Sequence, residues 1–228
     1  MEMNGKLFTA ADVAVLQDII QLRRDVRGQR FIDRSLDQEL VDQLLTAALH
    51  APSVGFSQPW EFVLITDKTL RQQVKESFDQ ANADALTTFT HRQQEYARLK
   101  LEGILEAPLN IAVFYKPPVT PVLGQTTMEE TGLYSVVCAV QNLWLMARAL
   151  NIGVGWVSIL DPDKVSRLLN APAGRRLVAY LCVGYTDGFY AQPELELLGW
   201  ERRQQREAAV IHERFPDSAP TFINPDKV

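Results

Sequence analysis

Eighteen residues, Leu133 to Leu150, put apolar side chains almost all the way round a helix: Val136, Val137, Ala139, Val140, Leu143, Trp144, Leu145 and Met146. A helix that is apolar on every side must be covered on every side. The chain must therefore wrap its other elements around this segment or press it against a second copy of itself. Arg148 interrupts the run, which is too short to span a bilayer. Gln141 and Asn142 lie inside it and need hydrogen-bond partners wherever they are buried.

The elements available to cover that helix are read in chain order. Asp12 to Arg24 carries Val13, Leu16, Ile19 and Ile20 at helical spacing. Ser35, with Gln38 three residues on, has the form of a capping box. It would open a helix with Leu40, Val41, Leu44, Leu45 and Ala48 on one face. Ala51 to Trp60 holds two prolines and a glycine and reads as a loop into a strand, Glu61 to Thr66. Asp67 to Phe89 and His91 to Leu105 read as two polar helices, with Leu99, Leu101, Ile104 and Leu105 as the face of the second. Residues 67–106 would form a helical cover. Leu109 to Tyr115 is a strand, followed by a proline-rich loop to Thr131. After the apolar helix, Asn151-Ile152-Gly153 supplies a stop, with glycine in the usual C-terminal place. Gly155 to Ile159 is a strand, and Asp161 with Pro162 starts a short helix. Arg175 to Gly184 is a strongly apolar strand. Residues 185–228 show little regular pattern and read as an extended tail. No linker or repeat divides residues 1–228, so one α+β domain with four or five strands is expected.

A second feature concerns chemistry. Arg23, Arg24, Arg27 and Arg30 crowd into eight residues around one carboxylate, Asp25, in a chain of net charge −5. If the preceding helix ran on, Arg23, Arg27 and Arg30 would share a face and repel one another. Guanidinium groups make forked contacts to phosphate, so one small anion is the natural counter-ion. A solvated helix end is the plain alternative. The acidic balance excludes nucleic acid as a partner. Cys138 and Cys182 lack a CxxC spacing and read as thiols of a cytoplasmic protein. His50, His91 and His212 are scattered, so no metal site is expected. Met1 to Ala10 has no signal-peptide core, and no membrane association is expected. No GxGxxG follows a strand and no P-loop is present.

Arg23-Arg24-Asp25-Val26-Arg27, the loop from Pro52-Ser53 to Gln58-Pro59-Trp60, and Gly153-Val154-Gly155-Trp156 together resemble the nitroreductase-like flavoprotein superfamily. The longer stretches RRDVRGQRF, APSVGFSQPWEFVL, RLKLEGI, VCAVQNLWL, GVGWVSI and PELELLGW resemble more closely its flavin-destroying branch, which serves aerobic cobalamin biosynthesis. Most of the superfamily has serine or threonine where Asp25 stands. Asp25, with Ser158, points to that branch. The loop after Tyr115 and the tail after Arg203 depart from the pattern.

The resemblance implies a nitroreductase-like α+β homodimer of the domain-swapped type. Its central sheet would be mixed, mainly antiparallel, of four to five strands flanked by helices, with flavin sites at the subunit interface. It implies reduced FMN as substrate, molecular oxygen as co-substrate, no metal, and a separate flavin reductase as supplier. The flavin would be cut into a benzimidazole, the lower ligand of cobalamin, and erythrose 4-phosphate. Arg23, Arg24, Arg27 and Arg203 would hold the phosphate. Val26, Pro52, Ser53, Gly55, Leu99, Trp156 and Val157 would line the flavin, the Ser53 loop coming from the other subunit. Asp25 and Ser158 would bind FMN and act in catalysis, Asp25 by accepting a proton or a ribityl hydroxyl bond. An NAD(P)H-dependent nitroreductase-type enzyme and a non-catalytic flavin-binding protein stand as alternatives.

Overall fold

A computed structural model describes residues 5–215. The first four residues and the end of the expected tail, 216–228, lie outside the described residues. Helix α1 (Ala10–Leu22) opens with a capping box between Thr9 and Asp12. The box expected at Ser35 is absent: α2 (Gln38–Leu49) starts at Asp37, whose side chain caps nothing. Then follow β1 (Trp60–Ile65), α3 (Lys68–Thr88), α4 (Gln93–Tyr96), β2 (Leu109–Tyr115), α5 (Thr131–Ala149), β3 (Ile152–Val157), α6 (Pro162–Leu168), β4 (Arg176–Tyr185) and the single turns α7 (Glu194–Leu197) and α8 (Arg206–Ala209).

The four strands lie in the order β1-β2-β4-β3, and every pairing is antiparallel. The only parallel contribution among the described residues is a single bridge, Asp25 to Val154. Side chains alternate across the sheet. Ile111, Val113, Leu181 and Val183 face one layer, where Leu44 and Ala48 of α2 meet Val136, Val140 and Leu143 of α5. Ala112, Phe114, Tyr180 and Cys182 face the other, with Val74 and Phe78 of α3 and Val165 of α6. Burial pushes the Cys182 thiol well above its ordinary range.

Helix α5 is the centre of the first layer, but one chain does not cover it fully. Tyr134, Val137 and Gln141 are exposed, while Asn142 Nδ2 donates to Ala47 O at 3.2 Å. Asn151, not Gly153, ends the helix: it takes the left-handed conformation (φ 56°) that its short polar side chain tolerates. Gly153 lies within β3. Helix α1 buries no residue, and Val13, Leu16 and Ile20 are each about half exposed.

The second cover helix, expected over 91–105, is cut to the single turn α4. After α4, residues 97–106 run without regular structure because their carbonyls bond elsewhere. Leu101 O accepts from Arg27, Glu102 O from Gly28 N (2.7 Å), and Leu105 O and Ala107 O from Arg71. Gly103 packs against the Phe31 ring, where a Cβ would collide. No helix among the described residues is long and apolar enough to cross a membrane.

Candidate active site

Helix α1 stops at Leu22 because the next residues pair with a strand. Arg23 is extended (φ −63°, ψ 134°), and Val26 N donates to Val154 O at 3.0 Å. Glycine makes this approach possible. A Cβ on Gly155 would strike the Val26 carbonyl, and one on Gly153 would press the Val26 side chain at 3.0 Å. The arginines therefore do not share a helical face, and the repulsion expected of a continued helix does not arise. Extended backbone sends alternate residues to opposite sides. Val26 is buried, while Arg23, Asp25 and Arg27 border a cleft of about 350 Å³.

That cleft brings together Arg23, Arg24, Asp25, Arg27, Leu99 and Arg203 of the expected set. It also includes Lys100 and Gln141, which sequence reasoning missed. Lys100 looked like a solvated position on a polar helix. The alternation Leu99-Lys100-Leu101 was the available signal, since it belongs to extended chain. Val26, Pro52, Ser53, Gly55, Trp156, Val157 and Ser158 do not line the cleft of this chain. Ser53 Oγ accepts from Gln58 N (3.1 Å), and Val54 N donates to Ser135 Oγ (3.1 Å), which ties that loop to α5. Gly55, at φ 55°, sits against the Leu123 backbone. Val157 is buried in the α3 layer, and Ser158 is exposed just beyond β3.

The arginines divide by task. Arg27 donates from Nε to the Asp25 carboxylate, from Nη1 to Leu101 O and from Nη2 to Trp156 O. One hydrogen on each Nη is left, so Arg27 is tied into the frame and keeps two donors for a ligand. Arg24 is buried and donates to Gln21 O (2.8 Å), Arg23 O (2.6 Å) and Ala191 O (2.5 Å), which fastens the tail; its Nε has no partner. Arg23 stacks over the Trp144 ring at 4.6 Å. Among the described residues, no carboxylate lies within 4 Å of the charged ends of Arg23, Lys100 or Arg203, although Glu196 Oε1 accepts from Arg203 N at 3.5 Å.

Asp25 is held on two sides. Its Oδ2 meets Arg27, and its Oδ1 accepts from Trp156 N at 3.2 Å. Burial raises its pKa above the ordinary carboxylate value, and Arg27, the Trp156 amide and Arg23 pull against that rise. The cover side closes with an aromatic cluster: the Trp200 ring packs on Phe89 (5.4 Å) and Tyr96 (6.2 Å), under the Arg92 guanidinium at 3.9 Å. Three side-chain cations with no carboxylate in contact, in a cleft that also holds Asp25 and Glu194, suit a ligand with a phosphate at one end and hydroxyls along its length. Among the described residues, no group of three or more His, Cys, Asp or Glu could hold a metal ion.

The chain is 47% identical to the 5,6-dimethylbenzimidazole synthase of Rhodospirillum rubrum over 88% of its own length and 95% of that protein's. It is 40% identical to that of Rhodobacter capsulatus, covering 82% of this chain and 90% of the other. In fold it is similar to an iodotyrosine deiodinase crystallised with FMN and 3-iodo-L-tyrosine, at TM-score 0.69 and 24% identity, covering 88% of this chain and all of that one. The model of the nitroreductase family matches residues 20–185, and the chain belongs to that family.

Proposed function

We propose that the protein is an oxygen-dependent enzyme that fragments reduced FMN into 5,6-dimethylbenzimidazole and erythrose 4-phosphate. The observation that carries this reading is the 47% identity along 95% of a 5,6-dimethylbenzimidazole synthase. The cleft supports it. Arg23, Lys100 and Arg203 would hold the FMN phosphate, since among the described residues none of their charged ends has a carboxylate within 4 Å. FMN, when bound, supplies both the ring that becomes the product and the electrons that oxygen takes.

The chain's own groups do the rest. Asp25 accepts a proton or a ribityl hydroxyl bond at Oδ1 or Oδ2, and Arg27 and the Trp156 amide fix its orientation. Leu99 and Leu101 from the cover give the same cleft apolar surface. Ser158 acts as a further hydrogen-bonding group. In a homodimer, the loop bearing Pro52, Ser53 and Gly55 comes to this cleft from the second copy, with Val157 and Ser158 completing the pocket. The uncovered apolar positions of α1 and α5 support the dimer: Val13, Leu16, Ile20, Tyr134 and Val137 are each 41–60% exposed in the single chain, together with Val15. A separate reductase supplies reduced FMN.

The test is aerobic incubation of the protein with reduced FMN, followed by chromatography after one turnover. 5,6-dimethylbenzimidazole in the products is the expected result. Intact oxidised FMN alone would overturn the reading. Repeated NAD(P)H oxidation with the flavin retained would assign the protein to the nitroreductase-type alternative.

A further inference from the structure

A cavity of about 390 Å³ opens where β1 ends, β2 begins, and α2 and α3 start. It shares no lining residue with the cleft of Arg23 and Asp25. Its polar lining is Asp33, Ser35, Gln38, Thr66, Lys68 and Arg71.

Arg71 is 5% exposed. Its Nη1 donates to Leu105 O (3.2 Å) and Ala107 O (2.5 Å), while its Nε is buried with no partner. Among the described residues, neither Arg71 nor Lys68 has a carboxylate within 4 Å, and Asp33 on the rim reaches neither. A buried guanidinium facing a cavity without a counter-charge is costly unless an anion enters. The start of α2 adds to this demand. Its cap residue, Asp37, does not bond the first amides; its Oδ2 accepts from Tyr185 OH at 2.9 Å instead. Leu40 N and Val41 N donate to Asp37 O (3.0 and 3.2 Å), so of the first N–H groups of this twelve-residue helix those of Gln38 and Glu39 are left for another acceptor.

We propose that this cavity binds a small oxyanion, a carboxylate or a phosphate group. Arg71 and Lys68 supply the charge, and Ser35, Thr66 and the first amides of α2 supply neutral donors. Two cations against the carboxylate of Asp33 leave one net positive charge, which matches a singly charged head group. Arg71 does two tasks, holding the 105–107 turn from one side and the ligand from the other.

The experiment titrates the full chain with inorganic phosphate and, separately, with acetate, at fixed ionic strength, by calorimetry and by phosphorus line broadening. Because phosphate also suits the first cleft, wild type, Arg23→Ala, Lys68→Ala and Thr66→Val are compared. Two classes of phosphate site are expected in wild type. Arg23→Ala removes one; Lys68→Ala weakens the other about tenfold, and Thr66→Val weakens it by less. Acetate heat lost in Lys68→Ala identifies a carboxylate site, and phosphate binding alone identifies a phosphate site. Lys68→Ala and Thr66→Val that both titrate like wild type would overturn the proposal. Arg71→Met is set aside as the sole test because it also frees the carbonyls of Leu105 and Ala107. The outcome is independent of whether FMN is fragmented.

Discussion

The two walls of the cleft are built differently. The Asp25 wall is backbone against backbone: residues 23–27 lie on β3, and Gly153 and Gly155 bring the chains closer than any side chain would allow. The cover wall, formed by residues 97–101 and 193–203, is loop and the single turn α7, belongs to no sheet, and meets the helices beside it through side chains, with Trp200 against Phe89, Tyr96 and Arg92. A wall of the first kind fixes a reacting group in place. One of the second kind can yield to admit a large substrate and release smaller products.

The largest effect expected from breaking this contrast is at Gly155. Gly155→Ala drives a methyl group into the Val26 carbonyl, which backbone cannot avoid, so a loss of about 3 kcal/mol is expected. Gly199→Ala in the tail meets nothing within 4 Å and adds only the strain of φ 73°, about 1 kcal/mol. Urea unfolding of the two variants measures the difference, and equal losses would erase the distinction between the walls.

Next in size is Asp25→Asn. It keeps the shape of the fixed wall and removes its basic oxygens. FMN binding should persist while the yield of 5,6-dimethylbenzimidazole falls about 100-fold. A wild-type yield would leave Asp25 as a counter-ion to Arg27 only. Trp200→Ala acts on the other wall. It should weaken FMN binding by about tenfold through a displaced Arg203, with little change in the thermal midpoint. A large fall in the midpoint would instead make the cover part of the core.

The smallest effect is in pH dependence. Burial raises the folded-state pKa of Asp25, so the native protein binds more protons here than the unfolded chain does. Stability contributed by this group is therefore present below the ordinary carboxylate value and lost as pH rises through the folded value. Asp25→Asn should lack that decline, which urea unfolding across the acid range detects. A decline of equal slope in both proteins would place its source elsewhere.

The layers of the fold were legible because periodicity reports burial. Val136, Val140 and Leu143 lie on the core face of α5, and Leu109 to Tyr115 is the strand its pattern suggested. Local signals failed where distant groups intervened. Residues 97–106 carry a passable helical pattern, yet Arg27 and Arg71, far away in sequence, take their carbonyls. Ser35 has the spacing of a capping box, but α2 begins with an Asp37 bonded to Tyr185. The arginine cluster announced an anion site without showing which members were free. Only the fold reveals that Arg24 and Arg27 hold backbone while Lys100, in a stretch taken for helix, faces the cleft.

A guanidinium has five hydrogens to give, and Arg27 divides them between Asp25, the Trp156 carbonyl of the sheet and the Leu101 carbonyl of the cover. One cation thus ties together three pieces of chain built in different ways, the arginine segment, the sheet and the cover, so a change in any of them reaches the Asp25 carboxylate through a single side chain.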